Sequence, residues 1–259
     1  MIIAIDVGNT NIVLGGVGES VAFIARLGTD RMKTADEYAI QIKTLLDIHS
    51  MSPKIFEGGI ISSVVPQLNS VLSSAVEMVI DSKPLIVGPG IKTGLNILID
   101  NPAQLGSDMV VGSVAAIAEY PKPLMIIDMG TATTICVIDK DSNYRGGIIA
   151  PGVRVSMESL TSRAALLQGI SIEPPKKAIG TNTTDCMRSG LVLGNAAMID
   201  GMLDRMEEEI DGTPTIIATG GIASKIIPSC KHKIILDEEL LLKGLKIIYE
   251  KNLPTINRQ

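Results

Sequence analysis

Two stretches of the chain share one pattern: "AIDVGNTNIVLGGV" at residues 4–17 and "IIDMGTATTICVID" at residues 126–139. Each begins as an apolar strand, ends it on an Asp-x-Gly triplet, passes through small hydroxyl or amide residues and returns as a second strand. Asp6 in the first copy corresponds to Asp128 in the second. Because the copies lie about half a chain length apart, the repeat predicts two duplicated domains, each with its own sheet.

The segments around the two copies alternate between strand and helix patterns. "SVAFIARL" and "NYRGGIIA" add a third strand to the respective copies. "TADEYAIQIKTLLDIH" has helical apolar spacing, with Thr34 and Glu37 placed as in a capping box. "FEGGIISSV" has the pattern of a buried strand, and Pro66 suits the first turn of a following helix. The alternation predicts an α/β fold with mixed sheets flanked by helices.

The domain boundary is predicted inside the helix "NPAQLGSDMVVGSVAAIAEY", near residue 117 and ahead of two prolines. We therefore expect an N-terminal domain over 1–117 and a C-terminal domain over 118–259, facing each other across a ligand cleft. A long helix follows in "TTDCMRSGLVLGNAAMIDGMLDRMEEEI". Its small residues suit either a close helix crossing at a hinge or subunit interface, or plain core packing. They are Ser189, Gly190, Gly194, Ala196 and Ala197.

Composition narrows the classes of partner. With 259 residues and 46% hydrophobic content, the chain can fill a substantial core. The formal charge is −5 and the basic residues are scattered, which argues against a nucleic-acid partner. Aromatic residues make up 2% of the chain and tryptophan is absent, so platforms for stacking single-stranded bases are not expected either.

The sequence carries no pattern of export, membrane insertion or zinc binding. No basic region precedes the first apolar run, which Asp6 interrupts, and no stretch approaches the roughly 18 apolar residues of a membrane helix. We therefore expect a cytoplasmic protein without membrane contact. The three cysteines and two histidines lack the spacing of a disulfide framework or a zinc site.

The repeated Asp-x-Gly turn has the chemistry of a phosphate clamp. Gly8 lets a ligand approach backbone N–H groups closely, and such groups bind phosphate oxygens. The carboxylates of Asp6 and Asp128 would repel phosphate directly but can hold Mg²⁺ that bridges to it. Aspartates also cap turns without binding anything. Two copies in register favour the functional interpretation.

Other glycine-rich stretches of the chain differ in pattern from this turn. "GPGIKTG" at residues 88–94 is not a Walker A loop, because Ile91 stands where that motif needs a glycine before the lysine. No G-x-G-x-x-G follows the first strand, which disfavours a classical dinucleotide fold. "TIIATGGIASKI" at residues 215–226 places Gly220 and Gly221 between a strand and a helix, where a phosphate or flat ring can approach the backbone.

The order of these elements resembles the ATP-binding architecture shared by acetate and sugar kinases, Hsp70 chaperones and actin. That resemblance implies two ribonuclease-H-like domains with an interdomain ATP cleft. Seven segments in order resemble one family more narrowly, the type III pantothenate kinases. They are "DVGNTN", "GPGIKTG", "DNPAQLGSD", "DMGTATT", "GGIIAPGV", "IGTNTTDCMRSG" and "ATGGIAS".

This narrower resemblance implies transfer of the ATP γ-phosphate to the primary hydroxyl of pantothenate, the first step toward coenzyme A. It implies a requirement for Mg²⁺ and for a monovalent cation, K⁺ or NH₄⁺. It also implies a homodimer whose substrate pocket lies near the subunit interface.

The resemblance also assigns roles to individual residues. Asp108 matches the general base, and Asp128 matches the ligand of the monovalent cation, with Asp6 a second metal-binding candidate. Thr183 matches a substrate contact, although alone it fits a helix N-cap better. The ATP phosphates are assigned to Asp6, Val7, Gly8, Asn9, Thr10, Asn11, Ile12, Val13 and Thr131. The acceptor is assigned to Gly106, Ser107, Asp108, Met109 and Thr183.

Several positions depart from the family pattern on the acceptor side. The family continues "GADR" where this chain has "GSDM", so Met109 replaces an arginine expected to bind the pantothenate carboxylate. Losing such a charge-assisted contact costs about 1.5–3 kcal/mol. Ile99 and Asp100 stand where a tyrosine usually precedes "DNP", and "TTIC" replaces a pattern of an aromatic residue followed by aspartate. Arg154 or Arg163 are candidates to supply the missing charge.

The sequence is compatible with three functions. The first is a pantothenate kinase. The second is a kinase for a related small alcohol without a carboxylate, which Met109 and Ile99 would suit. The third is a nucleotide-binding regulator, against which the retained Asp108 counts, because a pure binder needs no general base.

Overall fold

The computed structural model describes the backbone of residues 1–256 and the side chains of residues 1–253. The strands are β1 (Ile2–Val7), β2 (Asn11–Val17), β3 (Val21–Gly28), β4 (Gly58–Ser63), β5 (Leu85–Ile86), β6 (Asn96–Ile97), β7 (Leu124–Met129), β8 (Ala132–Ile138), β9 (Asn143–Pro151), β10 (Thr215–Thr219) and β11 (Ile235–Leu236). The helices are α1 (Ala35–Ile48), α2 (Asn69–Ile80), α3 (Ser107–Glu119), α4 (Val153–Arg163), α5 (Thr183–Glu207), α6 (Ala223–Ile226) and α7 (Leu240–Ile256).

The chain divides into two units. The first contains Met1–Leu95, Asn101–Ala118 and the described residues from Glu239 onward. The second contains Asn96–Asp100 and Glu119–Glu238. Each unit has one mixed sheet covered by helices, as the repeat predicted.

The first unit is a three-layer structure around a five-stranded sheet of order β3-β2-β1-β4-β5. The β1 strand is buried along its whole length, because helices cover both faces of the sheet. Ile3 and Ile5 pack with α1 and α2 on one face, whereas Ile2 and Ala4 pack with α3 and α7 on the other. This period of two is what a strand buried on both faces requires. The capping box of Thr34 begins α1 as predicted.

The second unit has a six-stranded sheet of order β11-β10-β7-β8-β9-β6. Its strands β9-β8-β7-β10-β11 repeat the order of the first sheet. The pairs β9–β8 and β8–β7 are antiparallel, whereas β7–β10 and β10–β11 are parallel. Residues of α4, α5 and α6 pack on the face that carries Met125 and Ile127. Duplicated mixed sheets flanked by helices are therefore confirmed.

The units differ from the predicted ranges 1–117 and 118–259 at three places, of which the smallest is Ala118, grouped with the first unit. The α7 helix groups with the first unit, because Leu242 and Leu245 pack against the β1 face that carries Ala4. The short β6 strand groups with the second unit, because it pairs with β9. Residues 257–259, which the prediction included, lie outside the described part of the chain.

The two hairpins differ in turn length by one residue. Asp6 pairs with Val13, whereas Asp128 pairs with Thr134. The ungapped sequence repeat thus holds along the first strand of each hairpin and shifts by one position on the second.

The long helix begins slightly differently from the sequence-based expectation. Asn182 is the N-cap of α5, since its side chain accepts from the backbone N–H of Asp185. Thr183, which fitted an N-cap in the sequence, is instead the first helical residue. Among the described residues, no helix combines the length and apolarity needed to cross a bilayer.

Candidate functional site

The β1–β2 turn in the first unit closes through the Gly8 N–H, which donates to the Asn11 carbonyl oxygen at 3.0 Å. A Cβ at Gly8 would lie 3.1 Å from that oxygen, so the turn has little room for a side chain there. Asn9 and Thr10 at the tip are exposed. A short, exposed turn with a glycine at its start has the form predicted for phosphate binding.

Asp6 lies at the carboxyl end of β1 and is 9% exposed. Its neighbours in the sheet are Val13 on β2 and Ser62 on β4. The carboxylate therefore belongs to the rim of the sheet directly below the turn.

Residues that follow β3 hold the turn from one side. Thr29 donates its hydroxyl to the Gly8 carbonyl at 2.7 Å and its N–H to the Thr10 carbonyl at 3.0 Å. Arg31 donates from Nη2 to Asn9 Oδ1 at 3.1 Å. Sequence reasoning did not identify Thr29 or Arg31. The signal in the sequence that could have found them is the polar run directly after β3, the strand that pairs with the Asp-x-Gly hairpin.

The start of α3 is fixed to the carboxyl end of β4 by Ser107. Its hydroxyl donates to the Ser63 carbonyl at 3.0 Å and accepts from the Ser63 N–H and the Ser62 hydroxyl, each at 3.1 Å. Because β4 pairs with β1 at Ser62 and Asp6, these bonds bring the helix start to the sheet rim that carries Asp6. The hydroxyl of Ser107 is thus engaged in holding the helix start, and its contact with substrate stays a prediction.

Asp108 lies in the first turn of α3 and is half-buried. Its Oδ1 accepts from the Met109 N–H at 2.8 Å. Burial raises the pKa of this carboxyl above the ordinary aspartate value, while hydrogen bonds from the backbone N–H groups of Met109 and Asp108 oppose the rise. A Cβ at Gly106 would collide with Asp108 Oδ1, so the glycine keeps space for the carboxylate.

Met109 follows Asp108 and is also half-buried. Its carbonyl oxygen accepts from the Ser113 hydroxyl at 2.7 Å. The thioether offers no N–H donor to a carboxylate. Ile99, the other departure on the acceptor side, belongs to the second unit, where it lies near Gly146 of β9.

The β7–β8 turn in the second unit repeats the first one in a shorter form. Gly130 donates its N–H to the Ala132 carbonyl at 3.0 Å, and Thr131 at the tip is exposed. The N–H of Gly152, directly after β9, donates to the Thr131 carbonyl at 3.1 Å. A Cβ at Gly152 would collide with that same carbonyl. In both units, then, the residue after the third strand holds the turn.

Asp128 of the second unit is in contact with the predicted double-glycine turn. Thr219 at the end of β10 pairs with Asp128, and Gly220 follows with φ +100°. A Cβ on Gly220 would lie 2.6 Å from Asp128 Oδ1 and 2.6 Å from the Met129 nitrogen. Gly221 is exposed, and a Cβ there would meet nothing within 4 Å. The structure thus brings Asp128 and Gly220 together.

The remaining predicted residues fall at separate places in these units. Ile12 is buried and Val13 half-buried on β2, beyond the turn itself. Thr183 is exposed at the start of α5.

The carboxylates suit an ion that shares its ligands with phosphate. Within residues 1–256, no three His, Cys, Asp or Glu side chains are grouped closely enough to hold a metal. Mg²⁺ in nucleotide sites is commonly bound through one or two carboxylates, with phosphate oxygens and waters as its other ligands. Asp6 in the first unit and Asp128 in the second each offer one carboxylate of the kind that such an ion binds.

Comparisons with known proteins identify the family of this chain. The sequence profile of the family described as type III pantothenate kinase matches residues 2–205. Type III pantothenate kinases of Exiguobacterium sp. strain AT1b and Halalkalibacterium halodurans are 46% and 45% identical over 253 residues. These alignments cover 97% of this chain and 99% and 100% of the relatives.

Solved structures share the fold at low sequence identity. A Campylobacter jejuni protein described as a candidate Baf family transcriptional activator superposes with a TM-score of 0.61 at 19% identity, covering 98% of this chain and all of that one. The activator of 2-hydroxyisocaproyl-CoA dehydratase from Clostridium difficile, solved with bound ADPNP, gives 0.56 at 11% identity, covering 100% of this chain and 97% of that one. With a family profile over most of its length and relatives near 46% identity, the chain belongs to the type III pantothenate kinases.

Proposed function

We propose that this kinase transfers the γ-phosphate of ATP to the primary hydroxyl of pantothenate, the first step of coenzyme A biosynthesis. The observation that carries the proposal is Asp108, a half-buried carboxyl whose pKa is raised by burial. It lies at the start of α3, which Ser107 fixes to β4 beside the strand β1 that carries Asp6. The family membership of the chain agrees with it.

In the proposed reaction, Asp108 accepts the proton of the acceptor hydroxyl as its oxygen bonds to the γ-phosphorus. The bond from the γ-phosphorus to the bridging oxygen breaks, and ADP leaves with that oxygen. A positioned base contributes about 10²- to 10⁴-fold to such a step, and it works best with a pKa near the working pH. Burial moves the pKa of Asp108 in that direction.

The β1–β2 turn is proposed to bind the ATP phosphates. Its backbone N–H groups provide donors, and Asp6 is proposed to hold Mg²⁺, which neutralises phosphate charge when bound. Thr131 is proposed as a further phosphate contact, and Gly220 and Gly221 as nucleotide contacts. Asp128 is proposed to bind the monovalent cation, K⁺ or NH₄⁺. An ATP-consuming biosynthetic step of this kind is expected in the cytoplasm.

On the acceptor side, Met109 favours a second candidate function. A thioether suits an apolar contact and lacks the charged fork that a carboxylate prefers, so a related small alcohol without a carboxylate is the alternative acceptor. Arg154, in the first turn of α4, and Arg163, at the end of that helix, are exposed cations that we propose as substitutes for the missing arginine.

The test is phosphorylation of pantothenate and of its amide and alcohol analogues in potassium buffer, with Asp108→Asn beside the wild type. We expect kcat with pantothenate to fall about 10²- to 10⁴-fold in Asp108→Asn while the KM for ATP changes little. Because deprotonated Asp108 is the active form, wild-type kcat/KM should fall as the pH drops through its raised pKa, and this acid limb should be missing in the variant.

Asp36→Asn is the matched control, because Asp36 occupies the same first-turn position in α1 of the same unit. Its kinetics should equal those of the wild type. An Asp108→Asn enzyme of undiminished kcat would refute the base assignment. Turnover of the analogues but not of pantothenate would select the alternative acceptor.

A further inference from the structure

The first unit contains a segment that has no counterpart in the second. In the second unit, Gly152 both holds the turn and serves as the N-cap of α4. In the first unit, residues 29–34 intervene between β3 and α1. We call Thr29–Thr34 the bracing segment, because its first residue holds the β1–β2 turn through two hydrogen bonds.

The bracing segment is itself firmly held. Tyr38 of α1 is fully buried, and its hydroxyl donates to the Asp30 carbonyl at 2.8 Å while accepting from the Asp30 N–H at 3.0 Å. Asp30 Oδ1 accepts from the Met32 N–H at 2.9 Å, and Thr34 caps α1. Arg31 therefore projects from a backbone fixed on both sides.

Arg31 is exposed and reaches the tip of the turn, where its Nη2 donates to Asn9 Oδ1 at 3.1 Å. A guanidinium has five N–H donors, so this bond leaves others available. The planar fork of arginine matches phosphate oxygens in two-point contacts. Without a bound cation the carboxylate of Asp6 repels phosphate, and a guanidinium at the tip of the turn counters that repulsion.

We propose that Arg31 binds the terminal phosphates of the nucleotide at the β1–β2 turn, with Asn9 holding its guanidinium in place. The inference rests on the proposed function, since it assumes that ATP binds at this turn. It adds a positively charged contact, which the motif residues 6–13 do not contain.

The test is calorimetric binding of a non-hydrolysable ATP analogue, ADP and AMP, each with Mg²⁺, to the full chain. Arg31→Ala should weaken binding of the ATP analogue about 10- to 100-fold, as expected for loss of a charged hydrogen bond. Binding of AMP should change less than about twofold, because AMP lacks the terminal phosphates. Arg31→Lys keeps the positive charge without the planar fork. Its affinity for the ATP analogue should lie between those of the wild type and Arg31→Ala.

Lys54→Ala is the matched control, because it also removes one exposed positive charge from the first unit. Lys54 precedes β4, at the end of the sheet opposite to the turn, about 20 Å away along a six-residue strand. Its binding should equal that of the wild type. Far-ultraviolet circular dichroism should show all three variants folded.

The outcomes separate this inference from the function on which it rests. A wild-type chain that does not bind the ATP analogue would refute ATP binding itself. Normal wild-type binding with an unaffected Arg31→Ala variant would refute the role of Arg31 alone. If Arg31→Ala weakened the binding of the ATP analogue and of AMP equally, Arg31 would act through the shape of the turn. That result would also refute the proposed phosphate contact.

Discussion

At the scale of single residues, the proposed base and the altered acceptor contact are adjacent residues, Asp108 and Met109, in the first turn of α3. Asp108 has the burial and the pKa direction of a base, whereas Met109 has no group that can pair with a carboxylate. The sequence motif "GSDM" identified both residues. Their burial and the support from Ser107 could not be read from it, because these depend on β4, more than 40 residues away in the chain.

Restoring the arginine of the family pattern tests this departure. Met109→Arg should lower the KM for pantothenate about 10- to 100-fold, since a charge-assisted pair with the carboxylate is worth about 1.5–3 kcal/mol. The KM for ATP and for an uncharged alcohol analogue should stay unchanged. Initial-rate kinetics with each acceptor measure the effect.

Met78→Arg is the control for the added charge, because Met78 is a half-exposed methionine on α2 of the same unit. If Met109→Arg leaves the pantothenate KM unaltered, the carboxylate is bound elsewhere. Arg154→Ala and Arg163→Ala would then be the variants to compare.

At the scale of elements, the double-glycine turn after β10 needs glycine for two reasons: the backbone conformation at Gly220 and the closeness of Asp128. Gly220 has φ +100°, and a Cβ there would collide with Asp128 Oδ1. A non-glycine residue in such a backbone region costs about 1–3 kcal/mol. Only glycine at this position lets β10 end beside Asp128 without moving the carboxylate.

Gly220→Ala should therefore lower the thermal midpoint and reduce activation by potassium, since the added methyl group displaces the proposed cation ligand. Gly169→Ala is the control, because Gly169 is an exposed position of the second unit where a Cβ meets nothing within 4 Å. Circular dichroism melting and a potassium titration of the initial rate measure the two effects. Equal melting of the two variants would contradict the strain argument, and unchanged potassium activation in Gly220→Ala would contradict the role of Asp128.

Local patterns predicted the elements better than their contacts. The two hairpins, the capping box at Thr34 and the long helix α5 follow from apolar spacing and cap residues close in sequence. The shorter β7–β8 turn and the bonds from Thr29 do not, because they depend on the register between strands and on residues that approach only after folding. Asn182 and Thr183 are both acceptable caps by sequence, and backbone geometry decides between them.

At the scale of the whole molecule, the repeated strand order explains how one sequence motif occurs twice in equivalent positions. Both turns lie at the carboxyl end of a central strand, β1 or β7, and each is held by the residue after a third strand. The grouping of α7 with the first unit was not predictable from local pattern, since an amphipathic helix fits any apolar sheet face of suitable size.

The homodimer is a prediction for the molecule as a whole, and α5 offers a surface for it. Gly190, Gly194 and Ala197 are exposed at helical spacing on this helix, and a Cβ on either glycine would meet nothing within 4 Å. Small residues in such a row let two helices approach closely, so this face suits contact with a second copy of the chain. In a twofold dimer each substitution occurs twice across the interface, which doubles its effect.

Gly194→Glu should therefore convert the proposed dimer to a monomer of 27.4 kDa in light scattering coupled to size exclusion. Alanine would be too small to separate the helices, whereas a glutamate from each copy adds both bulk and like charges in a surface that excludes water. Gly169→Glu, at an exposed and open position outside α5, should leave the mass unchanged. Because the substrate pocket is expected near the subunit interface, the monomer should also lose pantothenate phosphorylation while it still binds the ATP analogue. A dimer that persists in Gly194→Glu would exclude this face of α5 as the contact.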